Sequence, residues 1–302
     1  MTTDAHALLG AAHFGDRATP VDVAVSGGPD SLGLLLLARA AELEVTVHHV
    51  NHHTRASSDR DAAHVVALAA ALAVPVLVHD VTVTPGGNFE ARARAARRRS
   101  MPRRVLTGHT MDDLVETMLL NMMRGAGVDG LSPMVRDPTK PLRDVRRRAL
   151  HDYVAHSGFE PLHDETNDSP VHRRNRVRHE LLPLLCDVAQ RDVVPLFARQ
   201  AALMHDERTW LDLLGRDDRA TTLEEADCRV LGAWPTARLR RWLRQQLRNA
   251  DLGDGTHPPS ADEVDRAVSV VRGEAVATQL SGARRLARRG QRLTLEGGSP
   301  LR

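Results

Sequence analysis

The chain has 302 residues, 42% hydrophobic and 26% charged, with 41 basic against 39 acidic side chains and a formal net charge of +2. That length holds one large domain plus a smaller one, and the chain as a whole is not strongly basic. Cys186 and Cys228 lie far apart with no Cys-x-x-Cys spacing, which argues against a disulfide framework or a cysteine-based zinc or iron–sulfur site. No apolar run reaches membrane-spanning length and no signal-peptide core opens the chain, so a soluble, cytoplasmic protein with no membrane partner is expected.

Val21 to Val25 reads as a short apolar strand, and a leucine-rich helix begins near Leu32. Between them lies Ser26-Gly27-Gly28-Pro29-Asp30-Ser31. A glycine-rich turn at such a junction lets the backbone approach a phosphate closely, and the following helix points N–H groups and the positive end of its dipole at the anion. The loop lacks the lysine of a Walker-type phosphate loop, and Asp30 would repel phosphate unless a divalent cation lay between them. The expected ligand is a nucleotide, with Mg2+ at Asp30 and without simple γ-phosphate hydrolysis. A glycine turn in any Rossmann-like protein is the plainer alternative.

Further along, Glu44 to Val50 alternates as a strand and ends at Asn51-His52-His53. A helix over Ser58 to Ala73 follows, with Ser58 and Asp61 placed as a capping box. Val76 to Val81 predicts a strand, Phe89 to Arg99 a basic helix, Val105 to Thr107 a short strand and Met111 to Met123 another helix. Such alternation implies an α/β fold, a Rossmann-like parallel sheet covered by helices, with ligands beyond the carboxyl ends of the strands. The glycine loop, His52 and His109 are expected to gather there. His48-His49 and His52-His53 are read as structural histidines rather than metal ligands.

Leu142 to Ser157 predicts a strand-like start and a short helix, and the pattern then turns mainly helical, over Val193 to Leu214, Thr236 to Ala250 and Ala261 to Val271. Arg284 to Ala287 and Arg292 to Leu295 flank Arg288-Arg289-Gly290-Gln291 as a basic hairpin, with a frayed polar tail as the alternative. The expected organisation is a catalytic domain over residues 1–190 and a smaller, mainly α-helical domain over 191–302, with a weak linker signal near 215–222. Arginines cluster at Arg92 to Arg104, Arg143 to Arg148, Arg173 to Arg178 and Arg284 to Arg292, an arrangement that suits separate phosphate-contacting surfaces for a large RNA. Lys140 is the sole lysine, so the arginine bias also fits a GC-rich coding sequence.

His109-Thr110-Met111-Asp112-Asp113-Leu114-Val115-Glu116-Thr117 begins after a predicted strand and continues onto a helix. Asp113 and Glu116, three apart, share a face one turn from His109. The group is suited to coordinating Mg2+, capturing an ammonium or accepting a proton from an amine; acidic residues in a first helical turn are also simple dipole partners.

Ser-Gly-Gly-x-Asp-Ser after a first strand resembles the PP-loop, or N-type, ATP pyrophosphatases. The wider pattern resembles the tRNA(Ile)-lysidine synthetases within them. The resemblance rests on Val50-Asn51-His52 with Arg55, on Asn88-Phe89-Glu90-Ala91-x-Ala93-Arg94-x-x-Arg97, on His109-x-x-Asp112-Asp113-x-x-Glu116-Thr117 and on Arg124-Gly125-x-Gly127-x-x-Gly130-Leu131. It continues through Asp164-x-Thr166-Asn167 and Arg174-Asn175-x-Val177-Arg178 to Leu181-Leu182-Pro183. Leu114, Arg98 and His172 depart from residues common in the family.

The resemblance implies adenylylation of C2 of the wobble cytidine in the CAU anticodon of tRNA(Ile), then attack by the ε-amine of free L-lysine with release of AMP. Ser26, Gly27, Gly28, Pro29, Asp30 and Ser31 would bind ATP, with Asp30 also the Mg2+ ligand. Asp30, His109, Asp113 and Glu116 would be catalytic, Asp113 orienting or deprotonating lysine. Arg94, Arg97, Arg124, Arg174 and Arg178 suit tRNA or polyphosphate. A homodimer is compatible with this reading. The competing readings are tRNA thiolation, which normally needs reactive cysteines, a synthetase acting on small metabolites, and a non-catalytic nucleotide-gated RNA-binding factor.

Overall fold

The structure is a computed structural model that describes residues 5–16, 18–51, 53, 58–81, 92, 96, 99–162, 172–215, 222–249 and 259–297. The chain divides into two compact units, Met1–Leu120 with Ser132–Ala202, and Asn121–Leu131 with Leu203–Arg302. No helix among the described residues is long and apolar enough to cross a membrane.

The first unit is built on three parallel strands in the order β1 (Val21–Ala24), β2 (Val45–Asn51), β3 (Val76–Asp80). The short strand expected at Val105 to Thr107 is a single parallel bridge, Leu106 to Val23. Leu106 N donates to Asp22 O at 2.7 Å and Leu106 O accepts from Ala24 N at 2.9 Å, which extends the sheet beyond β1. Helices α1 (Ala5–Ala11), α2 (Pro29–Ala40) and α3 (Ser58–Ala71) complete this half of the unit.

Helix α2 begins at Pro29 rather than near Leu32. Proline suits a first helical position, where its missing N–H would have had no partner and its fixed φ is already helical. Every residue from Ser31 to Ala38 is buried, so the leucine run surrounds an interior helix instead of forming an amphipathic stripe. Helix α3 begins at Ser58, and the residues just before it lie outside the described set. The basic helix expected over Phe89 to Arg99 falls almost wholly outside it as well.

Helix α4 (Met111–Met122) and helix α5 (Arg147–Ala155) carry most of the side chains that define the site below. The strand-like start expected at Leu142 is corrected to a run of turns, closed by Val145 N donating to Leu142 O at 2.9 Å. Leu142 and Val145 are both buried, and anchoring a turn at two apolar residues three apart satisfies the same pattern that a strand would. Gly33 of α2 permits close packing on α5, since a Cβ there would lie 2.6 Å from Leu150 Cδ1.

In the second unit, α7 (Thr236–Asn249) buries Leu239, Trp242, Leu243 and Leu247 at three- and four-residue spacing and leaves its arginines on other faces. It follows α6 (Val194–Leu214) in the chain. Helix α8 (Ala261–Arg272) opens with a capping box between Ser260 and Glu263 and ends at Gly273 in the left-handed region. Then come β4 (Ala277–Leu280), β5 (Arg284–Arg289) and β6 (Arg292–Glu296), an antiparallel sheet in that order. The β5–β6 pair is the basic hairpin, closed by a two-residue turn at Gly290-Gln291 between Arg289 and Arg292. Strand β4 has only four residues and no apolar alternation, which hid it in the sequence.

The hairpin's arginines also have partners inside the unit. Arg284 is buried and donates to Ser281 O and Leu247 O, Arg285 and Arg289 pair with Glu296, and Arg288 donates to Val271 O.

Packing at Gly33 gives a direct test. Gly33→Ala is expected to destabilise the fold by about 1–3 kcal/mol through overpacking against Leu150. Gly10→Ala, whose Cβ meets nothing within 4 Å, is expected to be neutral or stabilising by up to about 1 kcal/mol in chemical denaturation.

Candidate active site

The glycine loop joins β1 to α2. Gly27 has φ +91°, a region that L side chains rarely adopt, and a Cβ there would lie 2.4 Å from Leu162 Cδ1. Ser31 Oγ donates to Gly28 O at 2.9 Å and accepts from Ser26 N at 3.2 Å, folding the loop back onto the first turn of α2. Gly28 occupies the N-cap without a capping side chain, so an anion at the loop can take the capping role. Gly108 brings the segment before α4 against the same turn, since a Cβ there would sit 2.4 Å from Asp30 O. That glycine carries no motif signal of its own.

Beside the loop lies a cluster of carboxylates and guanidiniums. Asp113 Oδ2 accepts from Thr110 N and Thr110 Oγ1, both at 2.8 Å, and Oδ1 accepts from Arg147 Nη2 at 2.8 Å and Arg174 Nη2 at 3.1 Å. Glu116 has no solvent exposure. Its Oε1 accepts from Arg147 Nη1 at 2.7 Å and Arg178 Nε at 2.8 Å, and its Oε2 from Arg174 Nε at 2.8 Å and Arg178 Nη2 at 3.2 Å. Burial pushes both carboxyls upward, but the opposing guanidiniums outweigh it. Asp113 is held at about 2, with Arg147 and Arg174 the largest opposing charges, and Glu116 is lowered chiefly by Arg178 and Arg147.

Arg147 ties this pair to the loop. Its Nε stands 3.7 Å from Asp30 Oδ2, an ion-pair distance too long for a hydrogen bond, and that buried N–H has no other partner among the described residues. His151, one turn along α5, donates from Nε2 to Asp30 Oδ1 at 2.8 Å. The same helix is capped from outside: Asp112 Oδ2 accepts Arg147 N at 2.7 Å, and its carboxylate also bonds Arg146, which in turn pairs with Asp192. The three acidic residues opening α4 thus anchor the start of α5.

His109 stands before α4 with Nδ1 2.8 Å from Thr107 Oγ1, which also accepts Lys140 Nζ at 2.7 Å. The structure therefore brings Asp113, Glu116, Arg174 and Arg178 into one cluster, with Asp30 joined to it through Arg147. Arg124 is exposed and belongs to the second unit. Arg94, Arg97, His52, Arg55, Asp164, Thr166 and Asn167 lie outside the described residues. Arg147, His151 and Thr110 were not singled out in the sequence. Arg147 lies within the Arg143 to Arg148 run that suits RNA phosphates in the sequence, and the signal that finds its role here is the need of two buried carboxylates for cationic partners.

The histidines of β2 are structural, as expected. His48 Nε2 bonds Asp22 Oδ1 at 2.9 Å and its Nδ1 lies 2.8 Å from His79 Nε2, while His49 Nδ1 bonds Val25 O. Among the described residues no group of three His, Cys, Asp or Glu side chains is arranged to hold a metal ion. Asp30 alone at the loop still suits Mg2+, which takes one or two carboxylates and completes its shell with substrate phosphates and water.

A glycine loop at the end of a first parallel strand, facing an anion-seeking helix start and a guanidinium cluster, is the arrangement of a PP-loop protein. The PP-loop ATP-binding domain family matches residues 3–185. The tRNA(Ile)-lysidine synthase of Rhodococcus jostii is 38% identical over 77% of this chain and 76% of its own length, and that of Nocardia farcinica is 34% identical over 98% and 99%. The chain belongs to the tRNA(Ile)-lysidine synthase family. The fold is shared with a U34-tRNA thiolase from Methanococcus maripaludis, with TM-score 0.52 and 15% identity over 64% of this chain and 75% of that one.

Removing charge from the centre of the cluster is expected to be severe. Glu116→Gln should cost about 3–5 kcal/mol of stability, because three guanidiniums lose their shared anion. Arg176→Gln, at an exposed pair with Glu180, should leave the denaturation midpoint unchanged. The depressed carboxyl of Asp113 stabilises the fold above its unfolded pKa near 3.8, and this contribution is lost as pH falls through about 2. The pH dependence of stability between about 4 and 2 should accordingly flatten in Asp113→Asn, as followed by acid titration of the fold.

Proposed function

We propose that this chain joins lysine to the wobble cytidine of tRNA(Ile) bearing a CAU anticodon, using ATP. The observation that carries the reading is the coupling of Asp30, at the glycine loop, to the buried pair Asp113 and Glu116 through a single side chain, Arg147. An anion site and a potential ammonium site thereby share one set of guanidiniums. In the first step the C2 oxygen of cytidine attacks the α-phosphorus of ATP, the bond to the β-phosphate bridging oxygen breaks, and pyrophosphate leaves. In the second the lysine ammonium gives a proton to water, the resulting ε-amine attacks C2, the C2–O bond breaks and AMP leaves, and the nitrogen releases one further proton while keeping one hydrogen.

Ser26, Gly27, Gly28, Pro29 and Ser31 bind the pyrophosphate portion through the loop backbone and the two hydroxyls, and Asp30 would hold Mg2+ carried by the phosphates. That ion would neutralise charge on the leaving pyrophosphate. Arg174 and Arg178, with their planar donor forks, suit polyphosphate oxygens, and His109 suits the α-phosphate or the base. Free lysine has a side-chain pKa of about 10.4. With Arg147 and Arg174 in place the Asp113 carboxyl is held low and stays an anion suited to orienting the ammonium group; accepting a proton from it would require those guanidiniums to withdraw.

The cluster also implies an order of binding. Three guanidiniums, those of Arg147, Arg174 and Arg178, face three carboxylates, those of Asp30, Asp113 and Glu116, and both oxygens of Asp113 and of Glu116 already accept hydrogen bonds. A lysine ammonium can enter only as an arginine withdraws. An ATP polyphosphate supplies the competing anion that draws Arg174 and Arg178 away, so nucleotide binding opens the place lysine takes. The second unit, with its arginine-bearing α7, acts in tRNA binding. A homodimer is compatible with this scheme and not required by it.

Thiolation is disfavoured by cysteine placement, since Cys228 is buried in the second unit and Cys186 is distant in sequence from every residue of the loop and the acidic pair. Incubation with ATP, Mg2+, labelled lysine and tRNA(Ile) of CAU anticodon should label the tRNA and release pyrophosphate. A tRNA whose wobble cytidine is replaced should take no label. Pyrophosphate release without lysine incorporation would remove lysidine formation and keep only the PP-loop chemistry. Asp113→Asn is expected to lower lysine-dependent turnover at least about a hundredfold while leaving ATP binding within a few-fold.

A further inference from the structure

Four arginines of the second unit, Arg208 on α6 and Arg241, Arg244 and Arg248 on α7, line one cavity of about 440 Å³ together with Asp129 and Asp212. Four positive and two negative side chains leave the lining at +2. Arg241 is held by Asp212 at 2.8 Å and donates to Arg208 O at 3.0 Å, whereas Arg244 Nη1 stands 4.0 Å from Asp129 Oδ2, beyond hydrogen-bond reach. The Nε groups of Arg208 and Arg244 are both buried without a hydrogen-bond partner among the described residues. Buried guanidinium N–H groups are normally bonded, so two guanidiniums left short of acceptors on side chains lining one cavity favour an anion in that cavity.

We infer that this cavity is a phosphate site that receives a phosphodiester of the tRNA backbone. A phosphate is acceptor-only, carries the charge that the lining lacks, and matches the forked donors of arginine better than a carbonyl or an amide does. The alternative source of the same chemistry is free inorganic phosphate. RNA is favoured because Arg241, Arg244 and Arg248 follow one another along a helix, and a row of cations suits a chain of phosphates. Contacts of this kind position the nucleic acid and carry no base information, so the site sets affinity and leaves the choice of the modified base to the first unit. The inference rests on the proposed reading only in naming tRNA as the RNA; the cavity and its unmet donors stand without it.

The test compares wild-type full-length protein with the double variant Arg208→Gln, Arg244→Gln and with Arg240→Gln, whose side chain is bonded to Asp265 and does not line this cavity. Binding of tRNA is measured by fluorescence anisotropy over a range of salt concentrations. The double variant should bind tRNA roughly tenfold more weakly, and its slope of log affinity against log salt should be shallower by about 0.7 to 1, corresponding to the one lost phosphate contact. Arg240→Gln should match wild type in slope. Arg208→Lys with Arg244→Lys, which keeps the charge, should restore most of the slope, and this pair separates a lost contact from a damaged fold. An unchanged slope in the double Gln variant overturns the inference. Tight binding of inorganic phosphate that the double Gln variant abolishes, with tRNA binding unaffected, overturns the RNA assignment and leaves a free-anion site. Failure of lysine incorporation with the salt effect intact would instead count against the proposed reaction alone.

Discussion

Glu116, fully buried, accepts hydrogen bonds from three arginines, and the geometry of the first unit's site depends on that contact. A buried carboxylate is tolerated only when its charge is matched and its lone pairs are filled. Meeting that demand fixes where Arg147 must open α5 and where Arg174 and Arg178 must lie on the helical run that follows residue 172. Replacing such a cluster by apolar residues is often neutral or stabilising in other proteins, so stability alone does not account for it. Its value lies in what charges on a substrate can do to it.

The acidic start of α4 works on two scales. Asp112 satisfies the first N–H of α5 and pairs with Arg146, which holds the two helices in register. Asp113 and Glu116, on the same helix, then meet the side chain of that same residue, Arg147. Gly108 lets the residues preceding α4 press against the first turn of α2, so the glycine loop and the acidic pair are placed by a short span of backbone rather than by long side chains. A phosphate bound at the loop and an ammonium bound at the acidic pair would therefore lie within reach of the same arginine.

Much of this was legible in the sequence for identifiable reasons. The glycine loop declares itself because Gly27 needs a positive φ and a missing Cβ, and His109, Asp113 and Glu116 stand at helical spacing. Arg174 and Arg178 emerged from a motif four residues long in its spacing, and the structure brings both onto Glu116. Arg147 was hidden because a run from Arg143 to Arg148 reads as one phosphate-contacting surface, and only the packing of α5 on α4 tells one arginine from its neighbours. Strand β4 was hidden by its brevity, and the turn at Leu142 by an apolar spacing shared with strands. The partners of the hairpin arginines were hidden because sequence does not reveal that Glu296 and several carbonyls lie opposite them.

The central claim is that polyphosphate and ammonium binding are coupled through shared guanidiniums. The most direct measurement is calorimetric titration of lysine into the protein alone and into the protein saturated with Mg2+ and an ATP analogue that cannot be cleaved between its α- and β-phosphates. Lysine should bind at least roughly tenfold more tightly in the presence of the analogue, and by linkage the analogue should gain the same factor from lysine. Equal lysine affinities in the two titrations would contradict the account, because the acidic pair would then be open to an ammonium without any anion to draw its arginines away.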